Sequence, residues 1–305
     1  MFADRLAIDP RVAAALRDRR PVVALESTLI SHGLPFPQNL EVARAAEAAV
    51  VAAGATPATI AIRAGRVLVG LGPNDLEALA KAPAGSVVKA ARPNLAAALS
   101  AEGWAATTVS ATMIAAAAAG IDVFATGGIG GVHRGGSTTL DISSDLDELA
   151  RTPVAVICAG PKSILDVAAT LEYLETRGVP VVTIGQDEVP GFYARSSGIR
   201  SPARVWDAAA AAELIRAHAG LGLGSGMLVC VPVPPAQALP EGEARAAIDR
   251  AIVDADAARI AGPELTPWLL ARIAELTGGA SVRANTALIV NNASVAAEIA
   301  GRLVT

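Results

Sequence analysis

The stretch FATGGIGGVHRGGSTTLDISSDLDELARTPVAVICAGPKS, residues 124–163, decides the fold and gathers most of the candidate chemistry. Its first residues close the apolar run IDVFATGG, which reads as a strand running straight into a glycine loop. The run PVAVICAG is almost wholly apolar, as expected for a strand in the middle of a sheet covered on both faces. Between them Ser143 or Ser144 can cap a helix whose first turn holds Asp145, Asp147 and Glu148, where carboxylates complement the helix dipole.

The same alternation extends in both directions. Upstream, a short helix over 10–16 leads to the strand PVVALEST, and the prolines of SHGLPFPQN exclude a helix there. Asn39 then caps a helix to about residue 53, ATIAIRAGRVLVGL turns back as a hairpin about Ala64 and Gly65, and a helix starts near Pro73. SVVKAARPN gives a strand ending at Lys89, residues 94–101 a helix, TTVS a short strand, and residues 111–119 an alanine helix stopped by Gly120. Downstream come a helix over 164–177 closed by Gly178, the strand VPVVTIG, a helix over 203–217 and the strand MLVCVPVP. Helices over 241–257, 266–275 and 282–303 finish the chain. The pattern predicts an α/β fold: one α/β/α sandwich over 1–305, with a central, mostly parallel mixed sheet and a helical C-terminal region.

With 305 residues and 52% hydrophobic content the chain can bury a large core. The mean hydropathy is +0.46, yet no apolar run approaches the roughly 20 residues of a spanning helix, so a membrane role is not expected. A formal charge of −4 without a basic run argues against a nucleic-acid partner. The N-terminal residues mix acids and bases without an apolar signal core, so a cytoplasmic location is expected. Cys158 and Cys230 lie in apolar runs that suit buried free thiols.

Each candidate residue has a bland reading beside the chemical one. Lys162 stands just past a buried strand, where lost hydration favours the neutral amine that a nucleophile needs; a solvent-facing lysine is equally compatible. Glu26 also ends an apolar strand, which suits a carboxylic acid kept protonated for delivery, or a carboxylate that caps amides. His133 and Arg134 follow GGIGG, whose exposed amides would form an anion nest for a phosphate. Asp141 and Asp145, with Ser143 between, supply hard oxygen ligands for magnesium or manganese, although capping accounts for Asp145 equally well. Lys89 can reach a phosphate or point to solvent. Asn285, Asn291 and Asn292 are unusual in an apolar helix and must find partners. His32 and His218 show no metal-ligand spacing.

The motifs ALESTLISHGLPFPQN, TVSATMIAAA, FATGGIGGVHRG, DISSDL, VICAGPKSILD and NTALIVNNA, taken together, resemble the pseudouridine-5′-phosphate glycosidases, also called the indigoidine synthase A family. The resemblance runs from about residue 22 to 300. It implies reversible cleavage of the carbon–carbon glycosidic bond of pseudouridine 5′-phosphate to uracil and ribose 5-phosphate, with a manganese-type divalent ion and a homotrimeric assembly. By the same resemblance Lys162 looks like the nucleophile forming a Schiff base with the ring-opened ribose, and Glu26 like the proton donor. Asp141 resembles the metal ligand, Lys89, Val109, Ser143, Ser144 and Asp145 substrate contacts, and His133 and Asn285 further site positions. The chemistry is consistent: a C-glycoside lacks a heteroatom leaving group, so protonation between two carboxylates would expel a poor carbanion, whereas a nitrogen at C1′ takes up the positive charge. Two other readings stay open, a Schiff-base sugar-phosphate lyase of aldolase type and a non-catalytic sugar-phosphate-binding protein.

Overall fold

A computed structural model describes residues 2–260 and 265–304, with the backbone alone at residues 137 and 138. The strands are β1 (Leu6–Ile8), β2 (Val22–Leu25), β3 (Thr56–Arg63), β4 (Arg66–Val69), β5 (Val88–Ala90), β6 (Trp104–Thr107), β7 (Val123–Ala125), β8 (Val132–His133), β9 (Ala155–Cys158), β10 (Leu165–Asp166), β11 (Val181–Ile184), β12 (Ala203–Val205) and β13 (Met227–Cys230). The helices are α1 (Pro10–Arg17), α2 (Thr28–His32), α3 (Gln38–Ala52), α4 (Pro73–Ala80), α5 (Leu95–Ser100), α6 (Val109–Ala119), α7 (Gly136–Thr139), α8 (Ser144–Leu149), α9 (Val167–Thr176), α10 (Ala208–Gly220), α11 (Glu241–Ala257), α12 (Leu265–Leu276) and α13 (Ala280–Leu303).

One sheet runs in the order β1, β4, β3, β2, β7, β9, β13, β11, β12, with β6 and β5 branching from β3. From β3 through β2 to β12 every pairing is parallel, while β3 meets β4 and β6 antiparallel. The fold is therefore α/β with a mostly parallel mixed sheet. Alternation along a buried strand sends successive side chains to opposite layers. Val22 and Ala24 join a core with residues of α1, α6, α8 and α9, whereas Val23 and Leu25 join one with α3, α10, α11 and α13. Each fully buried large side chain, such as Phe124 or Ile157, contributes roughly 1.5–3 kcal/mol.

The unusual feature is at β3. Its first half pairs with β2, ending at Leu25 opposite Thr59, and its second half pairs with β6, with Ala106 opposite Ala61. Strands β2 and β6 therefore lie along the same side of β3 and point their C-terminal ends at each other. Ser27 and Thr107 close the junction: the Thr107 amide donates to Ser27 Oγ at 2.9 Å, and Thr28 Oγ1 donates to the Thr107 carbonyl at 2.8 Å.

Several local expectations change. Ser31 and His32 belong to α2, so only 33–37 of the proline loop is non-helical. Asn39 lies inside α3 rather than at its cap; its buried Nδ2 donates to the carbonyls of Ile30 and Ala80, tying α3 to the ends of α2 and α4. In TTVS the strand stops at Thr107, and Val109 and Ser110 already form the first turn of α6. Helix α9 starts at Val167 because Asp166 caps it, and Leu165–Asp166 pairs with β8 instead. The helix expected over 203–217 starts at Ala208 after its Asp207 cap, leaving Ala203–Val205 as the edge strand β12. At the C-terminus, α13 packs on α3, α10 and the strands β2, β7 and β9, so the helical C-terminal region forms part of a covering layer.

Candidate active site

The C-terminal ends of adjacent parallel strands are where an open α/β sheet presents functional groups. Leu25 and Ala125 are register partners in β2 and β7, so the residues that follow, Glu26 and Thr126, emerge side by side. Thr126 Oγ1 donates a hydrogen bond to Glu26 Oε1. Beyond β9, Gly160 takes a φ of +82°, a turn that favours glycine, and Lys162 follows with its amide bonded to the Ile129 carbonyl at 3.1 Å. Lys89 approaches from β5.

Glu26, Lys162, Lys89 and Asp145 form one electrostatic group. Burial pushes the Glu26 carboxyl above its ordinary value; Lys162, the Thr126 hydrogen bond and Lys89 oppose the rise, while Asp145 adds to it. Lys89 is accessible to solvent but recessed among protein atoms. Its lost hydration and the neighbouring Lys162 charge push its ammonium below the ordinary lysine value, against Asp145 and Glu26. A buried carboxyl with a raised pKa thus sits near two lysines at the C-terminal end of the sheet.

Asp145 is buried, and both carboxylate oxygens are engaged by backbone amides: Oδ1 accepts from Ser110 and Oδ2 from Gly130, each at 2.9 Å. It therefore clamps the start of α6 to the glycine loop. Ser143 caps α8, accepting from the Asp145 amide at 3.3 Å. Ser144 Oγ lies 3.3 Å from Ser110 Oγ, which is 3.1 Å from Thr108 Oγ1. Val109 opens α6 with its side chain buried, and its first-turn amide has no intrahelical partner. Behind them Arg92 donates its backbone amide to Ser110 Oγ at 3.2 Å and grips the fully buried Glu148 with its guanidinium.

The glycine loop is not the exposed anion nest that its composition suggests. The amides of Ile129, Gly130 and Val132 are bonded to the Gly160 carbonyl, Asp145 and Thr170 Oγ1. Its glycines permit close approach instead: a Cβ on Gly128 would stand 2.6 Å from the Phe192 ring and 2.8 Å from the Gly160 carbonyl, and one on Gly130 would collide with Ser143. Arg134 Nη1 pairs with Asp249 of α11 at 2.7 Å.

Asp141 and His133 form a separate pair, with His133 Nδ1 3.9 Å from Asp141 Oδ2. The Asp141 carboxylate is 57% exposed. Among the described residues no group of three or more His, Cys, Asp or Glu is arranged as a metal cage. One accessible carboxylate with water completing the shell suits a hard, hydrated ion such as Mg²⁺ or Mn²⁺. Each oxygen of Asp145 already accepts one backbone amide. Asn285 sits on α13 one turn before Leu288 and Ile289, which face Gly127, and its side chain makes no hydrogen bond among the described residues. Asn292, on the same helix, donates to the carbonyls of Thr126 and Gly127 at 2.9 and 3.4 Å.

Of the residues singled out in the sequence, the structure groups Glu26, Lys89, Ser143, Ser144, Asp145, Val109 and Lys162 at one end of the sheet and leaves His133 and Asp141 as a neighbouring pair. Sequence reading overlooks Thr126, Ser110 and the Arg92–Glu148 pair. Thr126 carried the same signal as Glu26, a polar residue ending an apolar strand.

The family model for indigoidine synthase A like protein matches residues 11–302. The pseudouridine-5′-phosphate glycosidase of Paracoccus denitrificans is 53% identical over 300 residues, spanning 98% of this chain and 99% of the relative. That of Solibacter usitatus is 53% identical over 298 residues, with 98% and 99% covered. Among solved structures, the prealnumycin C-glycosynthase AlnA in complex with ribulose 5-phosphate superposes with a TM-score of 0.90 at 39% identity, covering 98% of this chain and 97% of its own. An indigoidine synthase A-like protein from Thermotoga maritima gives 0.86 at 33% identity, with 98% and 97% covered. Among the described residues no helix is long and apolar enough to cross a membrane.

Proposed function

The chain belongs to the indigoidine synthase A-like family, and from that premise we propose that it is a pseudouridine-5′-phosphate glycosidase, converting pseudouridine 5′-phosphate and water reversibly to uracil and ribose 5-phosphate. The observation that carries the mechanism is the placement of Glu26, a buried carboxyl whose pKa burial raises, near Lys162, the two following strands β2 and β9 on either side of β7.

Glu26 gives a proton to the ribose ring oxygen as Lys162 Nζ bonds to C1′ and the C1′–ring oxygen bond breaks. The nitrogen lone pair then forms C1′=N while the bond from C1′ to uracil breaks, its electron pair taking up a proton at the departing carbon. Water adds to C1′ and expels the amine, which frees ribose 5-phosphate and restores Lys162. The 5′-phosphate is held by Lys89, the Val109 amide and the hydroxyl of Ser144, so that binding energy remote from C1′ orients the reacting centre. Asn285, one turn before the α13 residues that pack on Gly127, is the residue we assign to contact the base.

Asp141, with His133 beside it, would hold the divalent ion. When bound, such an ion supplies positive charge that orders water and substrate oxygens. Assembly as a homotrimer is part of the same proposal and rests on the family resemblance; sedimentation velocity checks it.

The test is uracil release from pseudouridine 5′-phosphate, with and without Mn²⁺, by the parent and by Lys162→Ala. The parent releases uracil, the variant loses at least a thousandfold, and borohydride with ribose 5-phosphate adds a covalent sugar phosphate to the parent alone. A folded, metal-supplied parent that releases no uracil refutes the assignment.

A further inference from the structure

Resting on Glu26 as the acid of this reaction, we infer that Thr126 and Asn292 form a positioning relay that ties down Glu26 Oε1 and leaves Oε2 as the oxygen that exchanges its proton with substrate. Glu26 and Thr126 are 7% and 3% exposed, and the Thr126 hydroxyl bonds only to Glu26 Oε1 among the described residues. A hydroxyl with no other acceptor donates to that oxygen in both protonation states of the carboxyl. The acidic proton is therefore carried on Oε2, which makes no hydrogen bond to the described residues and is left for the substrate.

Asn292 explains why Thr126 is held so firmly. It is fully buried in α13, and its Nδ2 donates to the carbonyls of Thr126 and Gly127, while its Oδ1 has no partner. A buried acceptor without a donor destabilises the fold, and an apolar residue would fill this helix face without that penalty. The amide at this position has one visible task, anchoring the turn that carries the Thr126 hydroxyl. The relay thus runs from α13 through the end of β7 to the acid beyond β2.

The charged groups facing Glu26 are Lys162, Asp145 and Lys89, and none of them changes when Thr126 is replaced. Thr126 stabilises the charged carboxylate, so its removal raises the Glu26 pKa. Thr126→Val keeps the shape and β-branching of the side chain and deletes the hydroxyl; Thr126→Ser keeps the hydroxyl. Two measurements are made on each full-length variant: the pH profile of uracil release, and the titration of the Glu26 carboxyl carbon by ¹³C NMR. In Thr126→Val the titration and the high-pH fall of activity move together to higher pH, and kcat drops about tenfold with KM little changed. Thr126→Ser restores the parental position. Asn292→Ala lowers kcat in the same way at unchanged KM.

A Thr126→Val protein whose carboxyl titrates where the parent's does, or whose only defect is a lower melting temperature, overturns the inference. A parent that is folded yet inactive refutes the function instead, because the NMR titration reads the relay without turnover.

Discussion

Replacing Asp145 with asparagine tests the clamp it forms between α6 and the glycine loop, a role beyond the ligand and cap that the sequence left open. In the structure each carboxylate oxygen accepts one backbone amide at 2.9 Å, from Ser110 and Gly130, in a buried position. A hydrogen bond to a charged acceptor contributes about 1.5–3 kcal/mol. Asparagine keeps one acceptor and turns an NH₂ toward the other amide, so Asp145→Asn costs about 2–3 kcal/mol, from one lost bond and one stranded donor. Asp145→Ala loses both bonds and costs about twice that. With a urea slope of about 2–3 kcal/mol/M, the asparagine variant unfolds at a midpoint about 1 M lower, followed by intrinsic fluorescence.

The same change moves the titration of its neighbours. Asp145 raises the Glu26 pKa and supports the charge of Lys89. Without it Glu26 ionises at lower pH, so the high-pH fall of activity moves down, opposite to the shift expected for Thr126→Val. A variant within about 0.5 kcal/mol of the parent, or an activity limb that moves upward, refutes the clamp.

Glu26 and Lys89 also set opposite pH trends in stability. The folded Glu26 binds a proton that the unfolded chain releases above the ordinary value of 4.5, so its contribution falls as pH rises from there toward the raised pKa; Glu26→Gln removes that decline in a pH series of melting temperatures. Lys89 has a lowered pKa, so the unfolded chain binds the extra proton below 10.5 and stability rises with pH toward that value; Lys89→Met flattens the rise. Glu148→Gln breaks the bidentate hold on Arg92 in a fully buried position and costs about 3 kcal/mol, measured by chemical denaturation. Chelation of divalent ions lowers uracil release and added Mn²⁺ restores it; Asp141→Ala raises the ion concentration required while stability stays within about 0.5 kcal/mol, because that carboxylate is 57% exposed.

The α/β architecture was legible because its strands are short, wholly apolar and punctuated by glycines, as in PVAVICAG and IDVFATGG. Alternation with alanine-rich helices followed from the same contrast. The edge strand β12 was not legible: Ala203 and Arg204 are exposed and Val205 half-buried, so no burial pattern marks them, and only their pairing with β11 makes a strand. Strand β1 was hidden for the same reason, three half-buried residues recruited by β4. Asn39 shows the converse error. Its type and position suit a cap, but a buried pair of carbonyls from α2 and α4 claimed its side chain.

The site divides along the same line between local and distant causes. Glu26 and Lys162 were readable because each terminates an apolar run, and the end of a buried parallel strand is where such a sheet exposes polar groups. What the glycines do was not readable, because a glycine's role depends on what approaches it. The loop at 127–131 has the composition of an anion nest, yet its packing partners are Phe192, Ser143 and Thr170, brought there from other elements. Asp145 was ambiguous for the same reason: its two amide donors lie 35 and 15 residues away, on α6 and in the glycine loop. A carboxylate in DISSD can be a ligand, a cap or a clamp, and only the fold brings the second helix close enough to decide. The junction where β2 and β6 meet end to end supplies that closeness, since it carries Ser110 from one side and Glu26 from the other to the same end of the sheet.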